Sequence, residues 1–105
     1  AADTPLNPPL DVYIMVLDDA LSEHALVLAQ ALRRGGASVD LAYHGGSMKA
    51  QFKAVAQKNA EYAALLGPDE VANKTLTLKH QTSNTTHEVA LDDIESMLKL
   101  LGESA

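Results

Sequence analysis

A run of six consecutive apolar residues at positions 12–17, VYIMVL, limits the fold more strongly than any other segment. Because no polar residue alternates within it, the run predicts a strand buried on both faces, in a sheet with helices on each side. Apolar residues then recur at helical spacing, and a second strand pattern follows at 39–43. Two short strands joined by a helix predict a right-handed parallel crossover. The helical positions are Leu21, Ala25, Leu28, Ala29 and Leu32.

Both ends of this first helix carry terminal signals. Asp18 and Asp19 precede it as N-cap candidates. Arg33 and Arg34 suit the negative end of the helix dipole, and the glycine pair at 35–36 predicts the stop.

A second helix and two further strands follow. Ser47 is predicted to cap the helix, and residues 62–66 form a third strand. Residues 67–70 start a turn, with one helical turn at most. The strict alternation of KTLTLK at 74–79 predicts a fourth strand with two leucines on one face and Thr and Lys on the other. The apolar positions of the second helix are Met48, Phe52, Val55 and Ala56.

The last elements are a polar turn at 81–85, a fifth strand and a closing helix at 92–101. Asp92 and Glu95 have the spacing of a capping box for that helix. One face of the fifth strand is predicted to carry His87, Val89 and Leu91. The inward face of the helix is predicted to carry Ile94, Met97, Leu98 and Leu101.

The order βαβαβββα predicts an α/β fold, a three-layer α/β/α sandwich around a five-stranded mixed sheet. With 105 residues, the chain has room for a single core. We expect a Pro-rich linker at 1–10, the domain at 11–102 and a tail at 103–105. The Pro-rich start favours an excised domain over a free-standing protein.

Composition removes several function classes. The absence of cysteine excludes disulfides, thiolate zinc sites and cysteine nucleophiles. No apolar run approaches the roughly 20 residues that span a bilayer, and no signal peptide is visible, so we expect no membrane partner and a cytoplasmic location. The net charge of −6 disfavours a generic basic nucleic-acid binder. Any nucleic-acid site must therefore be a local patch, and DNA is not an expected partner.

Other chemistry has weaker support. The four histidines match no metal-ligand spacing, so no metal site is predicted. A Ser/His/Asp triad would need Ser47, which is better explained as a helix cap because the chain has no G-x-S-x-G motif. The HGGS segment at 44–47 fits a tight turn better than a phosphate site at the helix N-terminus.

The charges are unevenly distributed. Lys49 and Lys53 share one exposed helix face, with Lys58 about a turn further on, and Lys74 and Lys79 lie at the ends of the fourth strand. Composition alone favours an ordinary solvated surface, with a local binding patch as the alternative. The acids of the C-terminal stretch are Glu88, Asp92, Asp93, Glu95 and Glu103.

Residues 11–101 resemble the C-terminal anticodon-binding domain of class IIa aminoacyl-tRNA synthetases, and the domain of the histidyl enzymes most of all. Four segments carry the resemblance in order and spacing: DVYIMVL, ALVLAQALRRGGASVDL, GGSMKAQFKAV and LGPDEVANKTLTLK. The last is the most specific, because an L-G-x-x-E-V turn followed nine residues after the Glu by a basic residue is typical of the superfamily.

The resemblance implies a domain that binds the anticodon stem-loop of a tRNA. By position in the motif, Glu70 and Lys79 would face the anticodon bases, as an exposed carboxylate with a nearby ammonium group on one surface. Gln51 is assigned a structural role. Because most aromatic residues, Phe52 included, are placed in the core, base stacking is not expected to supply affinity. Supporting positions near phosphate would be Lys49, Lys53 and Lys74.

The resemblance also implies what the chain lacks. No catalytic residue and no cofactor are expected in this domain, whereas the parent enzyme would use ATP and Mg to charge tRNA with histidine. The expected partners are the tRNA, the catalytic domain and a second parent subunit in a homodimer. The alternatives are a protein-interaction or dimerisation module of the same fold, and the equivalent domain of a prolyl, threonyl or glycyl enzyme. A small α/β enzyme has little support.

Overall fold

The computed structural model describes residues 10–42 and 47–103. Residues 1–9 of the predicted linker and the HGG turn at 44–46 lie outside these ranges. A short 3₁₀ helix spans Asp19–Leu21. The strands are β1 Val12–Val16, β2 Val39–Leu41, β3 Tyr62–Leu66, β4 Thr75–His80 and β5 Thr86–Ala90. The helices are α1 Ser22–Arg34, α2 Met48–Gln57, α3 Pro68–Asn73 and α4 Ile94–Glu103.

The strands form one five-stranded mixed sheet in the order β2-β1-β3-β4-β5. Strand β1, second in this order, runs parallel to both β2 and β3, while β4 and β5 are antiparallel to their neighbours. The continuous apolar run at β1 is buried along its whole length. The predicted mixed sheet and parallel crossover are therefore confirmed.

The strand register sorts the sheet residues into two faces. Cross-strand partners share a face, so Asp40, Tyr13, Ala63 and Lys79 lie on the same side of the sheet. Helix α2 packs on that side, since Lys58 Nζ lies 2.9 Å from Asp40 Oδ2. The residues on the opposite face of β1 are fully buried; α1 packs against β1, and α4 packs against α1. Helices on both faces give the predicted α/β/α sandwich.

The start of α1 differs from the prediction. Asp18 Oδ1 accepts a hydrogen bond from the Ala20 amide at 3.0 Å, which closes the 3₁₀ turn. Helix α1 begins only at Ser22, and Leu21 occupies its N-cap without a side-chain hydrogen bond. The carboxylate therefore stabilises the turn before the helix. At the other end the predicted stop is confirmed, with Gly36 at a φ of +97°.

Helix α2 has the predicted cap but a different buried face. Ser47 Oγ accepts a hydrogen bond from the Ala50 amide at 3.1 Å. Val55 is buried and Phe52 half-buried, but the other two predicted apolar positions, Met48 and Ala56, are exposed. Their place in the core is taken by Gln51, whose side chain hydrogen-bonds to β1.

The C-terminal elements are displaced by one or two residues from the prediction. Asp93, not Asp92, caps α4, because its Oδ1 accepts from the Ser96 amide at 3.2 Å. Helix α3 is longer than the single turn predicted at 67–70, because it spans six residues. Met97 and Leu101 are buried as predicted.

Candidate nucleic-acid interface

Strand β4 has one buried and one accessible side. Leu76 and Leu78 are buried, and their strand neighbours Thr75, Thr77 and Lys79 are only half-buried. This alternation was predicted from KTLTLK and is confirmed.

Strand β5 extends the accessible side. Its residues opposite Lys79, Thr77 and Thr75 are Thr86, Glu88 and Ala90, and all three are exposed. We call this surface the open side of the sheet, and it consists of Thr75, Thr77, Lys79, Thr86, Glu88 and Ala90.

Lys79 is positioned by an aromatic ring. Its Nζ lies 5.3 Å from the centroid of the Phe52 ring, in the geometry of a cation–π contact. Among the described residues Lys79 forms no ion pair, so its ammonium group keeps its capacity to donate hydrogen bonds to a ligand. Phe52 is half-buried rather than a core residue, and it links α2 to the edge of the open side.

Glu70 lies on the same side of the sheet as Lys79. Gly67 continues β3 in an extended conformation, with φ −130° and ψ 177°, and therefore faces opposite to the buried Leu66. A Cβ atom at Gly67 would lie 3.3 Å from Glu70 Oε2 and 3.1 Å from Leu17 Cδ1. The carboxylate of Glu70 thus folds back over Gly67, and any side chain larger than hydrogen would press on it.

Glu70 and Lys79 are not adjacent. Lys79 pairs with Ala63 near the start of β3, whereas Glu70 follows the end of β3. Thr75 and Lys79 are four positions apart along β4, which is about 13 Å of strand. Both side chains are half-buried and form no ion pair with each other, and a stretch of strand that carries two threonine hydroxyls lies between them. Their shared role at the anticodon stays a prediction.

The supporting lysines surround this surface without belonging to it. Lys49 and Lys53 are exposed on α2, four residues apart, and Lys53 is the chain neighbour of Phe52. Lys74 is exposed too, but it ends α3 in a left-handed conformation with φ 56° and is not a residue of β4. Its position is therefore the turn into the strand.

Sequence analysis did not identify Glu88 as a site residue. It was grouped with the C-terminal acids, although the register places it on the open side, directly opposite Thr77. The available signal was the polar alternation of the fifth strand, but only the pairing across the 81–85 turn shows which of its residues face Lys79.

His80 has a structural role at the end of β4. His80 Nε2 lies 3.2 Å from Glu61 Oε1, and its Nδ1 accepts a hydrogen bond from the Ser83 amide at 3.1 Å. The ring also packs edge-on against Tyr62, with centroids 4.8 Å apart. These contacts close the β4–β5 turn. Within residues 10–42 and 47–103, no group of three His, Asp or Glu side chains could hold a metal ion.

The fold and the polar open side together define an anticodon-binding domain of the kind found in aminoacyl-tRNA synthetases. The family model described as "Anticodon binding domain" matches residues 11–101, and the chain belongs to that family. No helix in the described ranges is long and apolar enough to cross a bilayer.

Individual relatives point to one type of synthetase. The histidine–tRNA ligase of Bacillus cytotoxicus is 38% identical over 96 residues, which is 91% of this chain and 23% of that protein. The histidine–tRNA ligase of Symbiobacterium thermophilum is 40% identical over 93 residues, or 89% of this chain and 22% of that protein. The chain thus spans less than a quarter of either relative.

A solved structure shows the same fold. The crystal structure of apo S. aureus histidyl-tRNA synthetase superimposes with a TM-score of 0.82 at 24% identity, covering 92% of this chain and 25% of that one.

Proposed function

We propose that this domain recognises the anticodon loop of a tRNA for a histidine–tRNA ligase. The observation that carries the proposal is the open side, an accessible strand pair that presents the ammonium group of Lys79 and the carboxylate of Glu88 within an anticodon-binding domain. The two histidine–tRNA ligases at 38% and 40% identity support the amino-acid assignment.

The chemistry of Lys79 and Glu70 suits unpaired bases. The Lys79 ammonium donates to a base carbonyl oxygen or to a phosphate, and the Glu70 carboxylate accepts from amino or imino groups of a base. Anticodon bases expose these edges because they are not paired in a helix. Because Lys79 pairs near the start of β3 and Glu70 follows its end, the two side chains contact different nucleotides of the loop. The exposed Lys49, Lys53 and Lys74 attract the phosphates on either side.

The remainder of the parent protein supplies the catalysis. In this proposal a catalytic domain outside the chain binds ATP and Mg and attaches histidine to the tRNA, and the chain on its own forms no aminoacyl-adenylate. The parent is a homodimer in the cytoplasm, and neither DNA nor a membrane is a partner. The domain contributes the choice of tRNA and holds no cofactor itself.

Stem-loop binding tests the proposal. Fluorescence anisotropy with the anticodon stem-loop of a histidine tRNA should give salt-sensitive binding, which Lys79→Ala and Glu70→Ala each weaken about 5-fold or more. A change of an anticodon base should reduce the stem-loop affinity of the wild type by a larger factor than that of these variants. Lys99→Ala and Glu95→Ala, at exposed positions of α4 on the opposite side, serve as matched controls. Unchanged affinity and selectivity in both test variants would remove their assigned roles.

Lys53→Ala separates positioning from base recognition. If Lys53 contacts phosphate, this variant should bind every stem-loop more weakly by a similar factor. The slope of log K against log salt should then fall by about 0.7. The affinities for stem-loops from proline, threonine and glycine tRNAs should be lower than the affinity for the histidine stem-loop. If one of these three stem-loops binds most tightly, the domain belongs to the corresponding synthetase instead.

Exposed apolar residues on α1 favour a second candidate, a protein-interaction module. Val27 is 66% exposed and Leu26 41% exposed. Val27 also borders an apolar groove of about 450 Å³ between α1 and α4 that Leu91 and Ile94 help to line. Light scattering after size exclusion, with and without stem-loop, distinguishes the two functions. A tight dimer that ignores RNA would favour the interaction module.

A further inference from the structure

Glu88 and Lys79 lie diagonally across two adjacent strands on the open side. Lys79 is paired with Thr86, and Glu88 is paired with Thr77. Diagonal neighbours in an antiparallel pair are about 7–8 Å apart and point the same way. Glu88 is therefore closer along the sheet to Lys79 than Glu70 is, and it forms with Lys79 the carboxylate–ammonium neighbourhood that sequence analysis had assigned to Glu70.

Glu88 has no partner among the described residues. In the described ranges Lys58 forms an ion pair with Asp40, and the Glu61 carboxylate contacts His80, but no ion pair and no side-chain hydrogen bond involves Glu88. The Glu88 side chain is exposed. The Lys79 ammonium group, diagonal to it, contacts the face of the Phe52 ring and forms no ion pair in the described ranges. Both charged groups are thus available to one ligand at the same time.

An unpaired carboxylate has a cost in this position. The chain already has a net charge of −6, and a nucleic acid placed on the open side would meet the Glu88 charge at short range. That repulsion is offset only if the carboxylate accepts a hydrogen bond from the ligand. Base amino and imino groups and ribose 2′-hydroxyls can donate such a bond, whereas phosphates and base carbonyl oxygens cannot, and of these donors only the base groups differ between sequences.

We propose that Glu88 is a specificity-determining residue of the RNA site, which accepts a hydrogen bond from an N–H group of an unpaired base whose carbonyl oxygen or phosphate is held by Lys79. The inference rests on the proposed function, because it requires RNA on the open side. It adds a second base-reading carboxylate, and it assigns Glu88 and Glu70 to different nucleotides because they lie on different parts of the surface.

The sign of the change in affinity tests this inference. Glu88→Gln removes a negative charge at nearly constant size. If Glu88 only repels RNA, the variant should bind the stem-loop more tightly. If its carboxylate accepts a base N–H, the variant should bind about 3- to 10-fold more weakly, and the wild type should discriminate at one anticodon position more strongly than the variant does.

Glu23→Gln is the matched control. Glu23 is an exposed glutamate on α1, on the opposite side of the sheet, and its variant has the same net charge as Glu88→Gln. It should bind as the wild type does, or slightly more tightly. Equal thermal melting of the three proteins excludes an effect through folding.

The outcomes separate this inference from the proposed function. Suppose that Lys79→Ala weakens binding, whereas Glu88→Gln either improves affinity or leaves affinity and base discrimination unchanged. The role of Glu88 is then overturned, and RNA recognition by the domain stands. If the wild type binds no stem-loop, both proposals fail. Weaker binding with lost discrimination at a single base, absent in Glu23→Gln, supports Glu88 as the reader of that base.

Discussion

The side-chain amide of Gln51 takes the place of a strand neighbour beside Val16. The Val16 amide donates to Gln51 Oε1 at 2.7 Å, and Gln51 Nε2 donates to the Val16 carbonyl at 2.8 Å. Strand β2 ends at Leu41, so its pairing with β1 stops at Ile14. Val16 is the next residue of β1 whose backbone amide and carbonyl point toward the β2 side, and β2 does not reach them. Gln51 satisfies both groups and fixes α2 against β1.

Replacing Gln51 with leucine should destabilise the domain strongly. Gln51→Leu keeps the side-chain volume but leaves two buried backbone groups unpaired, each at about 1–3 kcal/mol. We expect the free energy of unfolding, measured with urea, to fall by about 2–4 kcal/mol. Gln57→Leu, at an exposed position of the same helix, should change it by less than about 0.5 kcal/mol. Equal losses in the two variants would contradict the assigned role.

The cap of α4 gives a prediction with neighbouring residues as test and control. Asp93→Ala removes the carboxylate that accepts from the Ser96 amide and hydroxyl, and it should cost about 1 kcal/mol. Asp92→Ala removes the same charge one residue earlier, where no cap is formed, and should have a much smaller effect. Thermal unfolding of the two variants under identical conditions makes the comparison. A larger loss for Asp92→Ala would show that the helix starts earlier.

The Asp40–Lys58 pair predicts a loss of stability in acid. Burial acts to raise the pKa of Asp40. The hydrogen bonds from Lys58 and the Leu41 amide, with the charges of Lys58 and Arg33, outweigh that effect and lower the pKa. A pKa lowered by folding stabilises the native state above the unfolded pKa, near 3.9, and this contribution is lost as the pH falls through the folded value.

Asp40→Asn measures that contribution. At pH 7 the variant should be less stable than the wild type by under about 1 kcal/mol, because half of the Lys58 side chain is exposed. At pH values below the lowered pKa of Asp40 the two proteins should converge. Asp92→Asn, which alters an exposed carboxylate without an ion pair in the described ranges, should show no such pH-dependent difference. A constant difference at all pH values would mean that the Asp40 charge is not responsible.

Phe52 should affect RNA binding through Lys79. Phe52→Leu removes the ring face under the ammonium group but keeps an apolar side chain, and an exposed cation–π contact is worth about 0.5–1 kcal/mol. We expect stem-loop affinity to fall about 2- to 5-fold. In the Lys79→Ala background the same substitution should have no further effect. Additive losses in the double variant would instead place Phe52 in direct contact with RNA.

Hydrophobic periodicity was sufficient to predict most of the elements. The third strand was predicted residue for residue at 62–66, and the two faces of β4 follow from its alternation. Gln51 was predicted to be structural but not to be in the core, because a polar residue is acceptable there only when a particular backbone group lies within hydrogen-bond distance. Periodicity along one segment contains no information about that partner.

The candidate site was predictable only in part. Glu70 and Lys79 lie on one side of the sheet, but their separation depends on the antiparallel register of β3 and β4, which local sequence does not specify. The same register, carried across the next turn, brings Glu88 beside Thr77. Individual residue types were recognisable in advance, whereas the distances between them are a property of strand pairing.

Strand β5 is the last strand of the sheet in the part of the chain that the structure describes, and half of its backbone groups have no strand there to pair with. An unpaired strand edge can pair with the same edge of a second molecule and start aggregation, and a charged side chain on the strand opposes this pairing. Glu88 is the single charged residue of β5. A hydrophobic replacement there would remove an electrostatic barrier to self-association, and loss of solubility would then be mistaken for loss of function.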